Sequence, residues 1–276
     1  MDTSGRSRLE LFVAVKGHAF RRDAFEAMLR GIGGIEPTMV DQPAAAALLN
    51  PDAMRDYDAI LFYDMPGLDF GAPVKERPGF IEPDACFRAG FEALMAEGKG
   101  MVALHHAIAG WPAWPAYAEA LGGTFLYKPA VIRGVERPAS RYAPEVAYTI
   151  RKTANRHPVL DGLPDRFDLR DELYAHEMFD DAGIEPLLYR ETPVAAERFL
   201  SAMHAVRRMP QDDMLAEAPP LDVPVAWAKA AGSSPLVYLQ PGDGAEAYAN
   251  PHYRRLVGNA IRWVASAEGK AWAGSR

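Results

Sequence analysis

His18, His105 and His106 each follow a short apolar run. Leu9 to Val15 (LELFVAV) leads through Lys16-Gly17 to His18, and Gly100 to Leu104 (GMVAL) runs straight into His105-His106. Histidine titrates near neutral pH and also ligates metals, so either position could supply a general base or a ligand. Small residues follow the pair (Ala107, Ala109, Gly110). That pattern is similar to the tight strand-to-helix elbow of nucleophile-bearing α/β enzymes. The plainer alternative is a packed, hydrogen-bonded histidine that orients a loop.

Two further apolar runs end in polar residues, at Tyr63-Asp64 and at Gln240-Pro241-Gly242-Asp243. Ligands of open parallel sheets bind beyond the carboxyl ends of the strands. His18, Asp64, His105, His106 and Asp243 are therefore expected to meet at one rim. A second cluster spans Asn155 to His176 and holds His157, Asp161, Asp168, Asp171, Glu172, Tyr174 and His176. Carboxylates mixed with histidine suit proton transfer or a hard-metal site. No HExxH spacing occurs there, and HPVLDGLP carries turn chemistry, so composition alone reads this stretch as a surface loop with solvated charges. Trp111 and Trp114, with Tyr117, could stack on a sugar face or pack in the core.

The elements that would position these residues alternate. Strands are expected at Leu9 to Val15, Ile35 to Val40, Asp58 to Tyr63 and Gly100 to Leu104. Helices are expected at Phe20 to Gly31, at Pro83 to Glu97 and from Pro115 to Leu121. Such alternation indicates an α/β sandwich of three layers with a mostly parallel central sheet. The middle, from Tyr127 to Pro220, is less regular. It shows strand character at Val131 to Val135, Glu145 to Ile150 and Leu187 to Arg190, and a helical stretch at Val194 to Arg208. It reads as a loop-rich insertion. Val223 to Trp227 and Leu236 to Gln240 are again strand-like, and Tyr253 to Val264 closes as a helix. One domain over 9–265 is expected, with flexible termini at 1–8 and 266–276.

Composition narrows the function. The 276 residues carry 30 Lys plus Arg against 37 Asp plus Glu, a formal charge of −7. A nucleic-acid binder needs a basic face to release counterions, so none is expected. Apolar stretches are strand-sized and no signal peptide is evident, which points to a cytoplasmic protein without membrane contact. Cys86 is the single cysteine. It excludes an internal disulfide and a CxxC metal site, and is the one candidate thiol nucleophile. GIGG (Gly31 to Gly34) lacks the dinucleotide fingerprint, and no GxSxG or Walker pattern occurs.

The segments GMVALHHAIAGWPAWPAYAEALGGTF, HPVLDGLPDRFDLRDELY and NPHYRRLVGNAIRWVA occur in that order. Together they resemble the ThuA-like family, named for trehalose utilisation and related in fold to flavodoxin-like, class I glutamine amidotransferase domains. The resemblance covers about Leu9 to Ala265. It implies one pocket shared by His18, His105, Asp171, Glu172 and Tyr174, and a role in carbohydrate metabolism on a sugar or keto-sugar. His18, His105 and Glu172 are the expected catalytic residues. Asp64, His106, Trp111, Asp171, Tyr174 and Asp243 are the expected substrate contacts. A divalent, zinc-like metal is a possible cofactor, and a homo-oligomer a possible assembly. A non-catalytic sugar-binding module on the same scaffold is the alternative. The family often has Gly-His near LQPG, whereas here Gly242 is followed by Asp243 and Gly244. Amidotransferases of this fold carry a cysteine at the elbow where His105 stands. A glutaminase is therefore not expected.

Overall fold

A computed structural model describes residues 8–179, 183–207 and 218–276; residues 1–7 of the expected N-terminal tail lie outside them. The main strands are Leu9–Lys16 (β1), Ile35–Asp41 (β2), Ala59–Asp64 (β3), Gly100–Leu104 (β4) and Arg141–Lys152 (β5). They continue with Arg166–Ala175 (β6), Ile184–Arg190 (β7), Leu200–Ser201 (β8), Pro224–Ala231 (β9) and Ser234–Leu239 (β10). The main helices are Arg22–Arg30 (α1), Ala85–Ala96 (α2), Pro115–Leu121 (α3), Ala202–Arg207 (α4), Pro251–Ala265 (α5) and Ala267–Gly274 (α6).

One sheet runs in the order β6-β5-β7-β9-β10-β4-β3-β1-β2, with β8 on β5. The strands β10-β4-β3-β1-β2 are parallel. The inner strands β1, β3, β4 and β10 are nearly continuous apolar runs because both faces are covered, whereas the edge strand β2 is mixed. Leu11, Val13, Val15, Leu61 and Tyr63 face one layer, with Phe25, Met28 and Leu29 of α1 and Leu256, Val257, Ile261 and Val264 of α5. Phe12, Ile60 and Phe62 face the other, with Phe87, Phe91 and Leu94 of α2 and Tyr117 and Leu121 of α3. Each such fully buried side chain contributes roughly 1.5–3 kcal/mol. The expected α/β sandwich with parallel central strands is what forms. Asp84 caps α2 by accepting from the Phe87 N–H at 2.7 Å, and Asn250 caps α5 with Pro251 at its first position.

Four expectations change. The stretch read as a solvated loop, Asn155 to His176, contains β6, which pairs antiparallel with β5. Phe167, Leu169, Asp171 and Leu173 are its alternate, buried residues. The insertion extends the sheet by antiparallel pairing of β7, β5, β6 and β8, joined to the parallel strands through β9. The expected helix at Val194 to Arg208 is a short 3₁₀ turn, then β8, then α4 from Ala202; Arg208 and most of the loop after it lie outside the described residues. Two residues of β8 pair with Arg141 and Tyr142, which overrides helical spacing there. The expected flexible tail 266–276 is largely α6, because Trp272 packs edge-on against Trp263 with ring centroids 5.1 Å apart.

Candidate functional site

The parallel strands β1, β3, β4 and β10 all end at one edge. Their exits carry His18, Asp64, His105-His106 and Asp243. His105 is fully buried and holds φ +44°, a left-handed backbone that a non-glycine residue adopts only when its surroundings enforce it. The enforcement is visible. Its carbonyl accepts from the Tyr238 hydroxyl at 3.0 Å, and its Nδ1 donates to the Gln240 carbonyl at 2.6 Å. Nε2 then faces Glu172 Oε1 at 3.3 Å and Asp243 Oδ1 at 3.5 Å. The Tyr174 ring stacks on the imidazole, 4.4 Å between centroids. Burial opposes a charge on His105. The Glu172 hydrogen bond and the charges of Asp243, Glu172 and Asp171 outweigh it, and the group is pushed up to about 9.

His106 behaves oppositely. Its Nε2 donates to the Tyr63 carbonyl at 3.2 Å, and its ring lies 4.6 Å from that of His18. Burial, with His18 and His105 nearby, pushes it well below the usual histidine range. His18 Nδ1 lies 3.9 Å from Asp243 Oδ1. His106 Nδ1, His18 Nδ1 and Asp243 Oδ1 are buried atoms without a hydrogen-bond partner. Ligating atoms of His18, His106 and Asp243 lie within 4.8 Å of one another, and so do those of His105, Glu172 and Asp243.

The expected contacts divide by depth. Asp171 is 4% exposed. Its carboxylate accepts the backbone N–H groups of Gly242 at 2.5 Å and of Asp243 and Gly244 at 3.1 Å each. Burial pushes its carboxyl up to about 6. That geometry makes Asp171 a positioning residue for the loop that carries Asp243, rather than the expected substrate contact. Asp64, 2% exposed, accepts from the Gln42 side chain at 2.7 Å, and burial pushes it up to about 6 as well. It too lies beneath the rim. Trp111 stands apart. Its ring packs on Phe87, centroids 4.9 Å apart, and borders a different cavity with Trp114, Pro115 and Phe179. The Trp111 backbone N–H donates to the Pro66 carbonyl at 2.8 Å, which sets the ring beside Phe87 of α2. Of the remaining cluster, His157 packs on Trp263, Asp168 accepts from the Thr149 hydroxyl, and Asp161 is exposed.

A cavity of about 210 Å³ opens above these groups. His18, Glu172 and Tyr174 line it with Phe125, Tyr127, Tyr142 and Met65. Sequence reasoning named Tyr174 but missed Phe125, Tyr127 and Tyr142, the Gln42 support and the prop beneath the Asp243 loop. That prop is Tyr63, whose hydroxyl donates to the Gly242 carbonyl at 2.8 Å, and Tyr248, whose hydroxyl donates to the Asp243 carbonyl at 2.6 Å. No local motif marks them. The period-two run FDLRDEL could have revealed β6, and with it the burial of Asp171. Cys86 is exposed in the first turn of α2.

No helix among the described residues is long and apolar enough to cross a membrane. No curated protein matches the chain. Among solved structures, a ThuA-like protein of Bacteroides uniformis aligns with a TM-score of 0.62 at 18% identity, covering 96% of this chain and 94% of that one. A ThuA-like protein of Parabacteroides merdae gives 0.65 at 13% identity, covering 95% and 91%. A cytoplasmic protein of Salmonella typhimurium LT2 gives 0.52 at 14% identity, covering 92% and 98%. These likenesses concern the fold. The family model described as trehalose utilisation matches residues 12–264, and with that the chain belongs to the ThuA family, which has a carbohydrate-related role.

Proposed function

We propose that the protein is an enzyme that moves protons on a sugar or keto-sugar, with His105 and Glu172 as its acid and base. The observation that carries this reading is the pair itself. His105 Nε2 and Glu172 Oε1 stand 3.3 Å apart, and Glu172 and the Tyr174 ring that covers His105 both line the aromatic cavity. Proton transfer needs two groups held apart in affinity and within reach of one substrate. His105 is wholly buried and meets the cavity through Glu172, so its Nε2 proton reaches a substrate carbonyl oxygen by way of the Glu172 carboxyl. Glu172 takes the proton from the neighbouring carbon, and an enediol results. Return of the two protons to other positions completes an isomerisation; loss of a leaving group from the adjacent carbon gives an elimination.

The cavity supports a small substrate. At about 210 Å³ it falls below the roughly 300–1,000 Å³ of drug-sized ligand sites. Tyr127, Tyr142 and Tyr174 offer faces for a sugar ring, and Tyr142 and Tyr174 offer hydroxyls for its oxygens, the Tyr127 hydroxyl being committed to the Ala109 carbonyl at 3.0 Å. The test is hydrogen exchange in heavy water. The full chain is incubated with a 3-keto-glucoside, and loss of the proton beside the carbonyl is followed by NMR. Exchange in the wild type that vanishes in His105→Ala and Glu172→Gln supports the reading. Exchange equal to the buffer rate in the wild type overturns it.

A further inference from the structure

His18 Nδ1, His106 Nδ1 and Asp243 Oδ1 are three buried polar atoms with no hydrogen-bond partner, and ligating atoms of these three residues lie within 4.8 Å of one another. A buried donor or acceptor left unpaired costs about 1–3 kcal/mol, and three together in one place call for a common partner. We infer that His18, His106 and Asp243 form a binding site for one divalent, zinc-like cation beside the His105–Glu172 pair.

The histidine chemistry selects the atoms. His106 Nε2 donates to the Tyr63 carbonyl, which can only accept, so the lone pair of the ring sits on Nδ1. A second nitrogen fixed by a backbone carbonyl is the usual support of a metal-bound imidazole. His106 is wholly buried, so no bulk water can satisfy that lone pair. His18 and Asp243 supply the exposed side, at about a third of their side-chain surface each (33% and 29%).

The spacing is close to what a metal needs. Zinc lies about 2.1 Å from nitrogen or oxygen ligands, so tetrahedral ligand atoms stand about 3.4 Å apart. His18 Nδ1 and Asp243 Oδ1 are 3.9 Å apart. Two nitrogens and one oxygen suit a borderline cation better than calcium or magnesium, which prefer oxygen throughout. Three protein ligands leave an open position for water or a substrate oxygen.

The neighbouring set of His105, Glu172 and Asp243 is the weaker candidate. His105 Nε2 is already hydrogen-bonded to Glu172, so only the first set is orphaned. Asp243 borders both, 3.5 Å from His105 Nε2. This inference rests on side-chain geometry and stands apart from the sugar reading.

The experiment uses the full chain, stripped of metal and then titrated with zinc against a colorimetric chelator, with bound metal counted by elemental analysis. One equivalent per chain is expected. Loss of an outer-shell partner alone weakens metal binding roughly 10- to 100-fold, so Asp243→Asn and His18→Ala should each weaken it more than that. His106→Ala should do the same, and should it fail to fold, the two partly exposed positions still decide. His105→Ala should keep its zinc. Cobalt substitution should give visible absorption in the wild type that disappears in Asp243→Asn. Less than about a tenth of an equivalent in the wild type overturns the site. Loss of zinc in His105→Ala with retention in His106→Ala overturns the ligand set.

Discussion

His105 donates from Nδ1 to the carbonyl oxygen of Gln240 at 2.6 Å, across the join between β4 and β10. The acceptor is main chain, so no side-chain substitution removes it. The register of the parallel pair, Leu104 opposite Leu239, places that carbonyl beside the ring. One nitrogen of His105 is thereby committed to the fold. The other, Nε2, is the only one left for chemistry, and it meets Glu172.

A pair built this way should act as a unit. His105→Ala and Glu172→Gln are each expected to lower keto-sugar turnover by roughly 10²- to 10⁴-fold. The double variant should be no slower than the slower single one, because the second loss removes nothing that still works. Steady-state rates of the four proteins test this. Multiplying losses would mean that the two groups serve separate steps.

Gly242 should tolerate no side chain. It holds φ +126°, and a Cβ there would overlap the Tyr253 hydroxyl. Its N–H also donates to Asp171 and its carbonyl accepts from Tyr63. Gly242→Ala is expected to destabilise the chain by about 1–3 kcal/mol and to displace Asp243. Urea denaturation reads the first effect, and weakened zinc uptake the second. A variant as stable as the wild type would show that the loop can move freely.

Asp64 predicts a pH dependence of stability. Burial raises its carboxyl to about 6 from the ordinary 3.8. Between these values the folded chain keeps a proton that the unfolded chain has lost. Stability therefore falls as pH rises through about 4 to 6, by at most about 3 kcal/mol from this group. Asp171 acts in the same direction, so Asp64→Asn removes only part of the slope. Unfolding free energies at about pH 4 and pH 7 should show the variant gaining on the wild type at the higher pH. Parallel curves would mean that Asp64 stays charged in the fold.

The rim was legible in the sequence because a parallel sheet leaves little choice. Apolar runs that end in His18, Asp64, His105 and Asp243 must deliver those residues to one edge. Their depth was not legible. Asp171 and Glu172 are adjacent letters, yet neighbours on a strand face opposite sides. Asp171 shares a face with Leu169 and Leu173 in one core layer, while Glu172 shares the other with Tyr174 and the cavity. Only the pairing of β6 with β5 decides which carboxylate meets the ligand. The same holds for Trp111, whose ring a nearby helix captures. Tyr63 and Tyr248 support the Asp243 loop from 180 and 5 residues away in sequence, and no local pattern encodes the longer of these contacts.

The C-terminal helix α6 should contribute to stability. Trp272 packs on Trp263 and approaches His157, with ring centroids 5.1 and 6.3 Å away. The Arg276 guanidinium stands over its ring at 4.1 Å from the centroid. Trp272→Ala is expected to cost about 1–3 kcal/mol, less than a wholly buried tryptophan because the ring is only partly covered. A thermal melt of the variant measures it. An unchanged melting temperature would return this segment to the status of a free tail.

Glutamine should not be a substrate. Glutamine hydrolysis by an acyl-enzyme route needs a thiolate at the elbow that ends a strand, with a base beside it. His105 fills that elbow, and an imidazole hydrogen-bonded at both nitrogens is a poor carrier of an acyl group. The one thiol, Cys86, is exposed on the first turn of α2, in the layer that packs Phe87 and Phe91 against the sheet. The purified chain is expected to release no ammonia from glutamine, and Cys86→Ala should leave keto-sugar turnover and zinc uptake unchanged. Ammonia release abolished by Cys86→Ala would place a nucleophile on α2 and move the active site away from His105.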